Sequence, residues 1–220
     1  MTDGIADILP LSPLQEGLLF LSSYSSTGVD PYTVQLVVDL SGSLDSGRVR
    51  DATRVFFERH PHLKSCFWFE DLDHPVALVP ESVDPQWTYR DLGGLPDPSA
   101  EAARIAAVER GVRFELDTPP LFRFHLLRLG SSEYRLVITS HHIMLDGWSN
   151  ALLVRELLEL YRGAVLPPAA RYRDYLAWLD GRDTAASVSA WRAALADVPD
   201  TELVIAGGPP GGDLATDPVW

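Results

Sequence analysis

The segment from residue 140 to residue 149, SHHIMLDGWS, carries the side chains best suited to chemistry in this sequence. Two adjacent histidines, His141 and His142, precede Asp146 and Gly147. A histidine ionises at about pH 6.5, so it can exchange a proton at neutral pH, and a carboxylate brought back by a tight turn could orient it. These residues alone leave three interpretations open: a metal site, a cluster of packed histidines, and acid–base or electrostatic catalysis by one histidine.

The two histidines are predicted to point in opposite directions, because successive residues of a strand project to opposite faces. One ring should pack inside the fold while the other faces a cleft. The same splaying disfavours a shared metal ion, and no third ligand is evident in the sequence. The single cysteine, Cys66, provides neither an internal disulfide nor a Cys–Cys metal pair, so we expect no metal and a reducing, cytoplasmic compartment.

A predicted hairpin and a predicted helix must position these side chains. Two apolar strands, 121–129 and 133–140, flank Gly130-Ser131-Ser132, and the second strand ends at the histidines. Ser12-Pro13-Leu14-Gln15 has the form of a capping box and predicts a helix that ends near Tyr24. Further strands are predicted at 32–40, 65–70, 76–79 and 86–90, and further helices at 45–60, 99–111, 149–162, 171–180 and 187–196.

Strands and helices are mixed without regular βαβ alternation, which predicts an α+β sandwich around one mainly antiparallel or mixed sheet with flanking helices. In the helix predicted at 45–60, the buried side should consist of Val49, Ala52, Val55, Phe56 and Phe57. The tail from residue 199, with its GGPPGGD run, is predicted to be a loop or linker.

Composition excludes several classes of protein. With 46% hydrophobic residues in 220, the chain can bury a core. The net charge is −13, and no lysine or arginine precedes Arg48, so a nucleic-acid partner is disfavoured. The first residues lack the pattern of a signal peptide, and no long uncharged apolar run follows, so we expect neither secretion nor a membrane span.

The histidine segment resembles the HHxxxDG signature of nonribosomal peptide synthetase condensation domains. Three further segments resemble motifs of the same family: LSPLQEGLLFL at 11–21, RHPHLKSCF at 59–67 and YRDYLAWL at 172–179. The four motifs follow the family's order and spacing between residues 8 and 196. One position departs from the family pattern, because Lys64 stands where an arginine is common.

The resemblance implies a chloramphenicol acetyltransferase-like α+β sandwich in which two lobes enclose a channel. It also implies a function. A condensation domain forms the amide bond between an upstream carrier-bound aminoacyl or peptidyl thioester and the amine of a downstream carrier-bound amino acid. The domain itself binds no cofactor, because 4′-phosphopantetheine arms of the carrier proteins present both substrates. The implied partners are the two peptidyl carrier proteins, an adjacent adenylation domain and the second lobe.

Carried over residue by residue, the resemblance makes His142 the catalytic histidine and His141 a support for the strand end. It also implies that Asp146 forms an ion pair with Arg59. This ion pair would fix the motif loop, by which we mean residues 142–146. Gly147 is expected to serve backbone geometry and close substrate approach. Trp148, which follows Gly147, is expected to be a packing residue.

Family members are about twice as long as this sequence, so residues 1–198 are expected to form the N-terminal lobe. Residues 199–220 would then lead towards a C-terminal lobe that is not in the sequence. Two alternatives stay open: a non-catalytic module that docks carrier proteins, and a lobe of an epimerisation domain, which shares the HHxxxDG pattern.

Overall fold

The computed structural model describes residues 4–24 and 28–197. The strands are β1 (Ile5–Pro10), β2 (Thr33–Ser41), β3 (Cys66–Trp68), β4 (Val76–Pro80), β5 (Gln86–Asp91), β6 (Phe122–Arg128) and β7 (Glu133–His141). The helices are α1 (Pro13–Tyr24), α2 (Ser46–Arg59), α3 (Pro98–Arg110), α4 (Gly147–Arg162), α5 (Tyr172–Asp180) and α6 (Thr184–Ala194), with a short 3-10 helix at Pro61–Lys64. One structural unit ends at Asp180, and α6 belongs to a second unit that begins at Gly181.

The strands form two sheets, so the prediction of a single sheet is wrong. β2, β7, β6 and β5 form a sheet in that order, antiparallel except for the parallel pair β5–β6, which α3 connects. β1, β4 and β3 form a separate antiparallel sheet. The short strands β3 and β4 join β1, which the sequence did not indicate, instead of extending the larger sheet. The prediction of mixed, mainly antiparallel pairing is confirmed, as is the β6–β7 hairpin.

Helices cover both faces of the four-stranded sheet. α2 and α4 pack on one face, where Phe57 meets Phe122 edge-on with ring centroids 5.3 Å apart. α3 packs on the other face through its small residues and Ile105. The predicted buried side of α2 is confirmed except at Val55, which is 46% exposed because it points away from the sheet.

α1 and α5 contribute to the core of the three-stranded sheet, where Leu19 and Leu176 pack with Phe67. The predicted capping box of α1 is confirmed: the Ser12 N–H donates to Gln15 Oε1 and the Gln15 N–H donates to Ser12 Oγ. The predicted linker from residue 199 lies outside the described residues. None of the helices described is long and apolar enough to cross a membrane.

Candidate functional site

His141 and His142 leave the end of β7 in opposite directions, as strand alternation predicts. His141 is fully buried, whereas His142 lines a groove. The backbone of both residues is fixed by neighbouring segments, since the His141 N–H donates to Leu121 O and the His142 N–H donates to Tyr32 O. The two rings therefore have separate environments.

The His141 ring is held inside the protein in one tautomer. Its Nδ1 accepts a hydrogen bond from the Ile143 N–H at 3.1 Å, so the proton of the neutral ring is on Nε2. Nε2 lies 3.1 Å from Ser22 Oγ and 3.4 Å from a carboxylate oxygen of Asp30. Burial lowers the pKa of His141, and Asp30 opposes that shift without overcoming it. His141 is thus a neutral structural connection between α1, the segment before β2 and the motif loop.

The His142 ring takes the opposite tautomer. Its Nδ1 is 2.7 Å from the carbonyl oxygen of Leu145, and because a carbonyl can only accept, Nδ1 carries the proton of the neutral ring. Nε2 then holds a free lone pair on the groove side, with no hydrogen-bond partner among the described residues. A nitrogen in this state can accept a proton or a hydrogen bond from a substrate.

The groove beside His142 has a volume of about 650 Å³. Its walls come from α1, the motif loop, the first turn of α4, and α5, and most of the side chains are apolar, as with Leu14, Met144 and Tyr175. Three of the four motifs found in the sequence meet here. The fourth, at 59–67, lies behind the wall, where His62 stacks on Tyr172 with ring centroids 4.7 Å apart.

Asp146 is the N-cap of α4, where its Oδ1 accepts from the Ser149 N–H at 2.8 Å. The hydrogen bonds from Ser149 hold the pKa of this carboxyl below its usual range. The predicted ion pair between Asp146 and Arg59 is wrong. Arg59 instead binds Glu156, ten residues further along α4, which is about 15 Å at 1.5 Å per residue.

Glu156 joins the end of α2 to α4. Its Oε1 accepts from Arg59 Nε at 2.6 Å and lies 3.0 Å from His60 Nε2. The same arginine donates to the carbonyl of Pro167, so it also holds the segment before α5. Burial alone would raise the pKa of Glu156, but the hydrogen bonds from Arg59 and His60 outweigh it and leave the pKa below its usual value.

Two expectations about the residues after Asp146 are corrected. Gly147 begins α4 with a φ outside the left-handed region, and a Cβ there would meet nothing within 4 Å, so the backbone does not require glycine. Close substrate approach at Gly147 stays a prediction. Trp148 does not pack in the described structure: it is 80% exposed, because the first turn of α4 directs it away from the core.

The sequence did not identify Gln15, Tyr172 or Asp30 as contributors to the site. Gln15 was predicted to cap α1 and lies in the family-like segment at 11–21, but its contacts with the motif loop and the Tyr172 hydroxyl were not predicted. Asp30 lies in the segment before β2, where its carboxylate is 3.4 Å from the His141 ring. No local pattern signals such contacts, because the partners are more than a hundred residues apart in sequence.

Comparison with known proteins agrees with this geometry. A family model described as "Condensation domain" matches residues 5–204. A linear gramicidin synthase from Brevibacillus parabrevis is 33% identical over 199 residues, covering 87% of this chain and 2% of that protein. Chondramide synthase cmdD from Chondromyces crocatus is 33% identical over 241 aligned residues, covering 88% of this chain and 6% of that protein.

Solved structures show the same fold. The first condensation domain of the CDA synthetase superposes with a TM-score of 0.76 at 23% identity, covering 89% of this chain and 52% of that one. The starter condensation domain of rhizomide synthetase RzmA gives a TM-score of 0.76 at 18% identity, covering 89% of this chain and 49% of that one. The chain therefore has the α+β fold of these condensation domains.

The chain belongs to the condensation-domain family of nonribosomal peptide synthetases. It spans about half the length of these solved domains and a small fraction of the synthetases it matches.

Proposed function

We propose that this chain is the N-terminal lobe of a condensation domain and that His142 acts in amide formation. The observation that carries the proposal is the hydrogen bond from His142 Nδ1 to Leu145 O, which leaves the Nε2 lone pair on the groove side. A coverage of about half of each solved condensation domain supports the assignment as one lobe.

In the proposed reaction, the amine of the downstream carrier-bound amino acid attacks the carbonyl of the upstream thioester. The C–N bond forms, the C–S bond breaks, and the amine proton leaves so that the upstream carrier's arm is released as a thiol. His142 Nε2 fits two roles in this step. It can accept the proton from the attacking amine, or it can hold the amine by accepting a hydrogen bond while the tetrahedral intermediate forms.

Carrier proteins are the proposed partners, and their 4′-phosphopantetheine arms are the proposed means of substrate delivery. The largely apolar groove wall supports this, because an arm and an acyl chain gain affinity from apolar contact while a few polar groups fix their orientation. An adjacent adenylation domain is part of the same proposal, since it would load the downstream carrier.

A docking module without turnover is the competing function, because half of a channel could bind carriers without completing the site. The coding sequence beyond Trp220 is the first test: a second lobe encoded there supports the proposal, and a stop codon favours the docking module. The second test is transfer between two carriers, measured by mass spectrometry of the intact carrier proteins, for the wild type and for His142→Ala. Equal product from both proteins would refute a role for His142 in the chemistry.

A further inference from the structure

The loop that carries His142 depends on a hydrogen bond from another helix. Gln15 Nε2 of α1 donates to the carbonyl of Ile143 at 3.2 Å. Ile143 is 3% exposed, so little water reaches this part of the loop to replace a lost donor. The loop's other contacts near this point are internal, since the Ile143 and Met144 N–H groups both donate to atoms of His141.

The orientation of the Gln15 amide is determined by its neighbours. Oε1 faces the Ser12 N–H at 3.0 Å, and a backbone N–H can only donate. Nε2 faces the Ile143 carbonyl, which can only accept. The Tyr172 hydroxyl of α5 donates to the same Oε1 at 3.0 Å, so three segments of the groove wall meet on one amide.

We propose that Gln15 is a positioning residue for His142 and that Tyr172 assists it. The Ile143 carbonyl lies two residues before that of Leu145, which accepts the hydrogen bond donated by His142 Nδ1–H. Fixing the Ile143 peptide keeps the loop in the path that places Leu145 O beside Nδ1. Gln15 therefore maintains the tautomer in which Nε2 is unprotonated and faces the groove. The consequence for transfer rests on the proposed function, whereas the consequence for the tautomer does not.

The variant Gln15→Glu separates positioning from folding. A glutamate at this position of a capping box still accepts from the Ser12 N–H and from Tyr172. It replaces the donor at Ile143 with a carboxylate oxygen, however, and two acceptors facing each other repel. The start of α1 should therefore survive while the loop loses its anchor.

The readout is the tautomer of His142, measured at pH 8 by ¹⁵N NMR of the imidazole in the full 220-residue chain, assigned by loss of the signal in His142→Ala. In the wild type we expect the proton on Nδ1. In Gln15→Glu we expect a shift towards the Nε2-protonated form, and in Tyr172→Phe a smaller shift in the same direction. Gln86→Glu and Tyr89→Phe make the same chemical changes at exposed positions of β5 and should leave the signal unchanged.

An unchanged His142 tautomer in Gln15→Glu would overturn the proposal. If that variant does not fold, Tyr172→Phe decides in the same way. Transfer kinetics in the complete condensation domain then separate this proposal from the proposed function. Gln15→Glu should lower kcat roughly tenfold or more with a smaller effect on KM, because misplacement of a reacting group mainly affects the chemical step. A tautomer shift combined with full transfer activity in His142→Ala would uphold Gln15 positioning and refute the catalytic role of His142.

Discussion

In their neutral forms, the rings of His142 and His141 are opposite tautomers, because a backbone carbonyl faces Nδ1 of His142 and a backbone N–H faces Nδ1 of His141. The buried ring connects the motif to Ser22 and Asp30, and the other ring presents Nε2 to the groove. The pair thus combines two of the interpretations that the sequence left open. One histidine is packed, and the other is available for chemistry.

Asp146 caps the N-terminus of α4, so its replacement should lower the stability of the protein. Asp146→Ala removes the N-cap acceptor for the Ser149 N–H and should cost about 1 kcal/mol in the free energy of unfolding. Asp146→Asn keeps a capping oxygen and should cost much less. Urea unfolding of the three proteins measures both values. Equal losses in the two variants would show that the charge, and not the cap, is what matters at this position.

The lowered pKa of His62 should make the protein less stable in acid. The pKa of His62 is lowered to about 4, mainly because the ring is buried and to a smaller extent because the charge of His60 lies nearby. The unfolded chain binds this proton at about pH 6.5, so the free energy of unfolding should fall as the pH drops below that value and stop falling near pH 4. At pH 4.5 this one group accounts for roughly 2–3 kcal/mol.

The check is the difference in urea stability between pH 7 and pH 4.5 for the wild type and for His62→Phe. Phenylalanine can keep the stack on Tyr172 but does not titrate. The wild type should lose more stability than the variant over this interval. Identical losses would mean that His62 is not the group responsible.

The elements that carry the motifs are joined by contacts that the motifs themselves do not reveal. Glu156 connects the end of α2 to the middle of α4, and Arg59 extends this connection to the segment before α5. The family-like segment at 59–67 therefore supports the motif loop indirectly, because it fixes α4, which begins directly after that loop.

A pair of double-mutant cycles tests this arrangement. Arg59→Met and Glu156→Gln should show a coupling of about 1 kcal/mol or more in the free energy of unfolding, because both side chains are only about one-fifth exposed. The same arginine variant combined with Asp146→Ala should be additive to within roughly 0.5 kcal/mol. Strong coupling in the second cycle would reinstate the Asp146–Arg59 ion pair that the family resemblance implied.

Local patterns predicted the elements well and the long-range contacts poorly. The capping box placed α1, and the glycine-serine turn placed the β6–β7 hairpin, because these signals lie within a few residues of one another. The strand β1 and the division into two sheets were missed, because pairing with β4 depends on residues about seventy positions away. The Arg59 partner was predicted wrongly because Asp146 was carried over from the family resemblance, whereas the carboxylate that Arg59 contacts belongs to Glu156, ten residues further along the chain.

At the scale of the molecule, three sequence motifs from distant parts of the chain converge on one groove. α1, the histidine loop and α5 line it, and exposed apolar side chains such as Leu14 and Trp148 lie on these elements or directly beside them. The chain covers about half of the solved condensation domains that it resembles. We therefore expect the groove to form one wall of a channel that a second lobe completes.

The proposed role of His142 in amide formation should appear in the rate of the chemical step, measured on the complete condensation domain of which this chain is proposed to be a part. Single-turnover transfer between an upstream aminoacyl carrier and a downstream aminoacyl carrier should be at least about 100-fold slower in His142→Ala than in the wild type. Glu16→Gln, on the exposed side of α1, serves as the control. Dipeptide formation at the wild-type rate by His142→Ala would contradict the claim.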